Sequence, residues 1–284
     1  MIIIVFLFIV WGLCGTALAA EHINPPPLEH FYQQDAERFY ESSELLTLQS
    51  EGEDFYVFHQ PYMAAAKAGT VVLIPDMLAP PLNSSGISFL AQRLSDDGFD
   101  TYTISAPGVS SSADILPPDL GAQAPEENQQ AGNKVLTGVS ERNLDDYKTA
   151  LISRFEALYN TLSKSPEEQL VVVAFGNSAG VFVEHLATLP SLQIDAVTVI
   201  SPQLPNAARQ KHLAANLSLV SPALLDIYYS FDNPSVVDST NMRKRWALRN
   251  NKYDYRQREL FGVKTDPLQH QRLRKELLGF LRVL

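Results

Sequence analysis

Two kinds of hydrophobic pattern alternate along the chain. Thr70–Ile74, Leu170–Phe175 and Ala196–Ser201 are apolar at nearly every position, as are strands buried on both faces of a parallel sheet. Phe99–Ser105, Leu224–Ser230 and Tyr253–Leu260 read as further strands, with β-branched and aromatic residues that suit a pleated surface. Elsewhere the apolar residues recur at three- and four-residue steps. Leu144, Tyr147, Leu151, Phe155, Leu158 and Leu162 form one stripe, which predicts a helix over Glu141–Lys164. Shorter helical patterns cover Ser88–Asp97, Val181–Leu189 and Arg272–Leu284, the first stopped by Gly98. Two short strands, Leu46–Gln49 and Phe55–Gln60, follow an extended or weakly helical lead-in over 21–45. Strands alternating with helices predict the α/β class. The expected architecture is a mostly parallel sheet with helices on both faces, in a single domain over 46–284.

Two segments break this rhythm. Residues 1–20 carry no charged side chain; Ile2–Leu13 form an apolar centre and Ala17-Leu18-Ala19 supply a small-x-small cleavage pattern. No Lys or Arg precedes the apolar run, so an uncleaved N-terminal membrane anchor is the alternative. The run is short against the roughly 20 residues of a span, and a cleaved signal peptide with export to the periplasm is the expectation. The one cysteine, Cys14, lies inside this segment. Cleavage therefore removes the only thiol and excludes disulfides, cysteine nucleophiles and cysteine metal sites. The second segment, Val109–Val139, is rich in Ser, Pro, Gln, Asn and Gly. A loop of that length is either functional or unstructured.

The net charge of −10 excludes duplex nucleic acid as a partner, since phosphates demand a cationic footprint. The charge is uneven. Twelve of the 22 Lys and Arg lie in Asn241–Leu284 beside four acidic residues, so this stretch is near +8 and the rest near −18. It reads as a solvated outer face, or as a surface for anionic lipid or an anionic substrate.

Gly176-Asn177-Ser178-Ala179-Gly180 matches Gly-x-Ser-x-Gly, a weak signal by itself. Context strengthens it, because a buried strand precedes it and an amphipathic segment follows. A turn this tight leaves no room for side chains at its flanks, which Gly176 and Gly180 provide. The Ser178 hydroxyl would then stand at the carboxyl edge of the sheet, where a helix N-terminus favours developing negative charge. The alternative is a glycine-rich turn that only packs helix on strand.

With this elbow the chain resembles the α/β-hydrolase superfamily over roughly Leu46–Leu284. Pro75-Asp76 follows Val71–Ile74 where that family has a strand ending in His-Gly, and Ser105-Ala106-Pro107-Gly108-Val109-Ser110-Ser111-Ser112 is similar to its Asp-x-Pro-Gly-x-Gly-x-Ser turn. The Leu225-Asp226-Ile227-Tyr228 strand, Tyr255-Arg256-Gln257 and the last helix resemble, more narrowly, a family of exported proteobacterial α/β-hydrolase-like proteins of unknown function. The resemblance implies an α/β-hydrolase fold and, in chain order, a nucleophilic Ser, an acid and a His. Of six histidines (His22, His30, His59, His185, His212 and His270) the last follows the final strand, where the family keeps its catalytic imidazole. Asp232 holds the family's acid position, with Asp226 as the alternative. On local grounds alone, Asp266-Pro267 reads as a helix cap that puts His270 in a first helical turn, and Asp232 reads as a turn residue in Phe-Asp-Asn-Pro. The oxyanion donors would be the N–H of Ala179 and that of Met77, because Pro75 has none to give. Asp76 beside that oxyanion would oppose it.

The expectation is thus an exported serine hydrolase of the esterase, thioesterase or amidase type, acting on a small-molecule or acyl substrate through an acyl-enzyme. The alternative is an inactive hydrolase-fold protein with a binding or envelope role. No cofactor or metal is expected, since the histidines lack paired ligand spacing. The stretch between Ser201 and Leu224 is too short for an inserted cap domain. If the export signal is read correctly, the mature protein recovered from the cell envelope begins at Ala20 or Glu21. Intact-mass measurement checks this, and a mass retaining residues 1–19 means an anchored chain instead.

Overall fold

The computed structural model describes residues 28–39, 41, 44–109, 139–162, 168–188 and 192–284. The expected signal peptide, and all but the ends of the 109–139 loop, lie outside the described residues. The strands are β1 (Leu45–Ser50), β2 (Glu53–Gln60), β3 (Gly69–Ile74), β4 (Phe99–Ile104), β5 (Gln169–Phe175), β6 (Ala196–Ile200), β7 (Ala223–Tyr229) and β8 (Tyr255–Leu260). The helices are α1 (Leu28–Phe39), α2 (Ile87–Asp96), α3 (Glu141–Thr161), α4 (Gly176–Leu186), α5 (Ala207–Leu219), α6 (Pro234–Arg249) and α7 (Pro267–Leu281). One eight-stranded sheet runs in the order β1-β2-β4-β3-β5-β6-β7-β8. β1 and β2 pair antiparallel with each other, as do β2 and β4, and the remaining pairs are parallel.

The continuous apolar runs have the physical role expected of them. Every residue of β3 and β6 is buried, and the two-residue side-chain period divides them between two cores. Val71 and Leu73 face a core closed by Leu90 and Leu94 of α2 and by Leu273 and Leu277 of α7. Val72 and Ile74 face the other, closed by Leu151 and Phe155 of α3 and by Val181 and Phe182 of α4. Each such side chain, fully withdrawn from water, contributes about 1.5–3 kcal/mol, so the central strands are the most strongly held part of the fold. No helix among the described residues is long and apolar enough to cross a membrane.

Three helices go beyond the hydrophobic pattern. α1 is the helical alternative of the extended or weakly helical lead-in, and α5 and α6 arise in polar sequence. Both of the latter start at asparagine caps: Asn206 accepts from Ala208 and Arg209, and Asn233 accepts from Ser235 ahead of Pro234. Capping of this kind and fixed proline geometry favour a helix without an apolar stripe. α7 likewise begins at Pro267 behind the Asp266 cap, as Asp266-Pro267 reads locally and five residues before the helical pattern from Arg272.

α6 brings a buried charge into the structure. Arg243 and Asp226 are both fully buried, with Arg243 Nε 2.7 Å from Asp226 Oδ2. The same oxygen accepts from the Tyr255 hydroxyl (2.6 Å) and from Gln257 Nε2 (2.9 Å). Burial, and then Asp226, push the Tyr255 phenol well above its usual range, so it stays a neutral donor. Asp226, the alternative catalytic acid, is thereby a structural group in the middle of β7, committed to Arg243. Truncating one partner leaves an uncompensated charge in the core. Asp226→Ala is therefore expected to lose about 3–5 kcal/mol in urea unfolding. A loss under 1 kcal/mol would mean that the pair is solvated in solution.

Candidate functional site

Parallel pairing sets Ile74 of β3 opposite Ala174 of β5, so Pro75-Asp76 and Phe175-Gly176 leave the carboxyl edge of the sheet side by side. Gly176 follows the last residue of β5 directly and has a φ of +55°. It is the strained tip of the strand-to-helix turn, the place a nucleophile occupies in a hydrolase elbow. A Cβ built on Gly176 would lie 2.1 Å from Asp76 Cγ. No side chain fits there, because a carboxylate from the neighbouring strand fills the space. Gly180 is required for a separate reason: a Cβ there would meet the Gln203 carbonyl oxygen at 2.2 Å, where α4 packs on the loop after β6.

Asp76 Oδ1 accepts from two converging backbone amides, Met77 N at 2.8 Å and Asn177 N at 2.7 Å, and from Asn177 Nδ2 at 3.2 Å. Its Oδ2 lies 3.6 Å from the ammonium of Lys264, on the loop between β8 and α7. Two N–H groups aimed at one oxygen beside a helix N-terminus have the geometry that stabilises an oxyanion. Here the oxygen belongs to the chain itself. The expected donor Met77 is in place, but its companion is Asn177. Ala179 is the fourth residue of α4 and 0% exposed.

Each of the expected catalytic residues has its own separate partners. Ser178 is the third residue of α4, 0% exposed, with its hydroxyl 2.6 Å from that of Tyr147 on α3. Burial raises the Tyr147 phenol far above its ordinary pKa, so this is a neutral bond tying two helices together. His270 is buried in the first turn of α7, its Nε2 3.0 Å from the Lys264 carbonyl and its ring against Phe89. Asp232 Oδ2 accepts from Ser201 Oγ at 2.6 Å and from Tyr229 N at 2.7 Å. No hydrogen bond links any two of Ser178, His270 and Asp232 among the described residues. The Gly-x-Ser-x-Gly spacing is present, and the turn tip falls on its first glycine. A serine two places later has entered the helix.

Sequence reasoning missed Asn177 and Lys264. Asn177 was only a variable position of the motif; Lys264 stands alone in the loop after the last strand, the loop to which the resemblance had assigned the histidine. Beyond Lys264, the carboxyl ends of β7 and β8 expose two aromatic rings. Phe231 and Phe261 are 66% and 67% exposed with ring centres 5.7 Å apart, and Leu78 and Val263 are exposed nearby in sequence. Leu78 has a φ of +64°, and its carbonyl is held by the Tyr32 hydroxyl of α1. No cluster of three or more metal-ligating side chains occurs among the described residues.

Over residues 17–283 the chain matches the family described as "Protein of unknown function (DUF3530)", and it belongs to that family. No curated protein matches it. Among solved structures it is similar to an α/β serine hydrolase homologue from Coxiella burnetii, at 12% identity and a TM-score of 0.53, over 87% of this chain and 99% of that one. Est1E from Butyrivibrio proteoclasticus is 9% identical with a TM-score of 0.56, over 84% and 99%. A dienelactone hydrolase from Anabaena variabilis is 11% identical with a TM-score of 0.54, over 82% and 93%. These likenesses establish the α/β-hydrolase fold.

Competition between the two side-chain positions is measurable. Gly176→Ala should cost more than the roughly 1–2 kcal/mol of left-handed backbone strain, since its methyl group collides with Asp76. Removing that carboxylate in the same chain, as Asp76→Gly, should recover the excess. A double-mutant cycle of unfolding free energies should then show a coupling of about 1–3 kcal/mol. Strictly additive costs would mean that Asp76 does not occupy the tip.

Proposed function

We propose that this chain is an exported α/β-hydrolase-fold protein that binds a ligand or partner at the carboxyl edge of its sheet and carries out no serine-dependent hydrolysis. The observation behind this reading is the Asp76 carboxylate, bonded to both Met77 N and Asn177 N and packed over Gly176. An acyl transfer needs a nucleophile at the turn tip and free donors for the oxyanion. The tip is a glycine, and the donors already hold an anion in charge-assisted bonds that a neutral ester carbonyl would have to displace. Ser178 offers no replacement, because its hydroxyl faces Tyr147 within the core.

A binding role draws on what surrounds this closed centre. Phe231, Phe261, Leu78 and Val263 expose apolar surface at one edge, which favours a ligand or partner with apolar groups. The left-handed Leu78 keeps an apolar side chain in solvent at a cost in backbone strain, a feature that folding alone does not need. Export rests on the apolar run Ile2–Leu13 with its small-x-small site, and on the loss of the only thiol with it.

A fluorophosphonate probe tests the reading on the processed, folded protein. Wild type should label no more than Ser178→Ala, and neither should hydrolyse a p-nitrophenyl ester above the rate of buffer. Labelling of wild type that vanishes in Ser178→Ala would restore the acyl-enzyme reading and end this one.

A further inference from the structure

Lys264 apart, the cationic C-terminal stretch takes no part in the Asp76 site, and part of it gathers at the β8 end of the strand order. β8 is the last strand of the sheet and has no strand on its outer side among the described residues. The carbonyls of Asp254 and Leu260 accept from Leu224 and Ser230 on the β7 side. A parallel ladder uses alternate residues, so Gln257 and Glu259 turn their backbone N–H and C=O groups outward. Between this edge and the end of α6 lies a groove of about 390 Å³. Lys244, Leu248, Lys252, Tyr253, Arg256 and Arg258 line it, and no carboxylate does.

Not all of those cations are available. Lys252 is committed to the carbonyls of Val220 and Pro222 and to Asp254, and Arg258 pairs with Glu276. Lys244 is exposed and Arg256 lies over the Phe280 ring, neither with a carboxylate partner among the described residues. The two sides of the groove also differ. Arg256 lies on the α7 side, whereas Tyr253 and Leu248, at 91% and 71% exposure, border the α6 side. Charged side chains on an edge strand commonly serve to repel other strands. That purpose is poorly served by an exposed tyrosine and leucine beside open backbone groups.

We propose that the β8 edge and the end of α6 take up an extended acidic peptide segment of another protein as an added strand. Its backbone would pair with the outward groups of Gln257 and Glu259, the mode in which main-chain bonds give affinity and alternate side chains give selectivity. Alternate acidic side chains would meet Arg256, with apolar ones turned to Leu248 and Tyr253. Charge complementarity selects this occupant: the groove is cationic on a protein whose net charge is −10, so an acidic partner is steered to this edge and repelled elsewhere.

Fluorescence anisotropy with the whole processed protein and a labelled decapeptide of alternating Glu and Val tests the proposal. Saturable binding is expected, weakened by about tenfold or more in Lys244→Glu/Arg256→Glu, where attraction becomes repulsion. Binding should fall as far with wild-type protein when alternate peptide nitrogens on the pairing side are methylated, a change that leaves the protein fold untouched. Equal binding of the methylated peptide would overturn strand addition. So would uptake of phosphatidylglycerol vesicles by protein that ignores the peptide, which would assign the groove to lipid.

Discussion

A carboxylate held by two backbone amides organises the carboxyl edge of this protein. Asp76 Oδ1 draws the N–H groups of Met77 and Asn177 onto one point, and Oδ2 faces Lys264. The bond to Asn177 links the end of β3 to the start of α4 across 101 residues. The requirement for glycine at 176 follows, since any Cβ would collide with the carboxylate. So does the placement of the β8–α7 loop, whose Lys264 ammonium faces the carboxylate while its carbonyl meets His270. Charge-assisted bonds to backbone amides are about twice as strong as neutral ones, which suits a contact on which three segments converge.

The remaining polar groups at the expected active site serve the fold in similar ways. Ser178 and Tyr147 join α4 to α3. Asp232 secures Ser201, a buried serine with φ of +52° at the end of β6, and so holds strained backbone at the next strand over. Asp226 and Arg243 anchor α6 to β7 through a buried ion pair. Side chains that would form a relay in a hydrolase are here three separate fastenings. Each is satisfied locally, and none faces a common reacting atom.

The turn, the helix N-terminus and the converging amides occur together at this edge, and the Asp76 carboxylate fills the point on which the amides converge. The protein's outer surfaces differ in chemistry. The carboxyl edge presents phenylalanines and a strained leucine, and the β8 edge presents cations with open backbone groups. The first offers apolar contact area. The second offers charge and main-chain hydrogen-bonding groups.

Much of the architecture was legible in the sequence because burial on two faces leaves an unmistakable record. The runs at Val71–Ile74, Leu170–Phe175 and Ala196–Ile200 became central strands, and the stripe from Leu144 to Leu158 became α3. α5 and α6 were harder, since their caps and their single buried ion pair leave little periodic signal. The motif at 176–180 was legible as a tight turn whose glycines are indispensable. Its chemistry was not. By itself the sequence determined the α/β class, the order of the elements and the need for small residues at this turn, because burial and local sterics are written residue by residue. Only the tertiary structure decided that Gly176 takes the strained tip, that Ser178 turns into the core, and that Asp76 fills the gap. Those outcomes depend on where β5 stops pairing with β3 and β6 and on a contact between residues a hundred positions apart, and no local pattern encodes either.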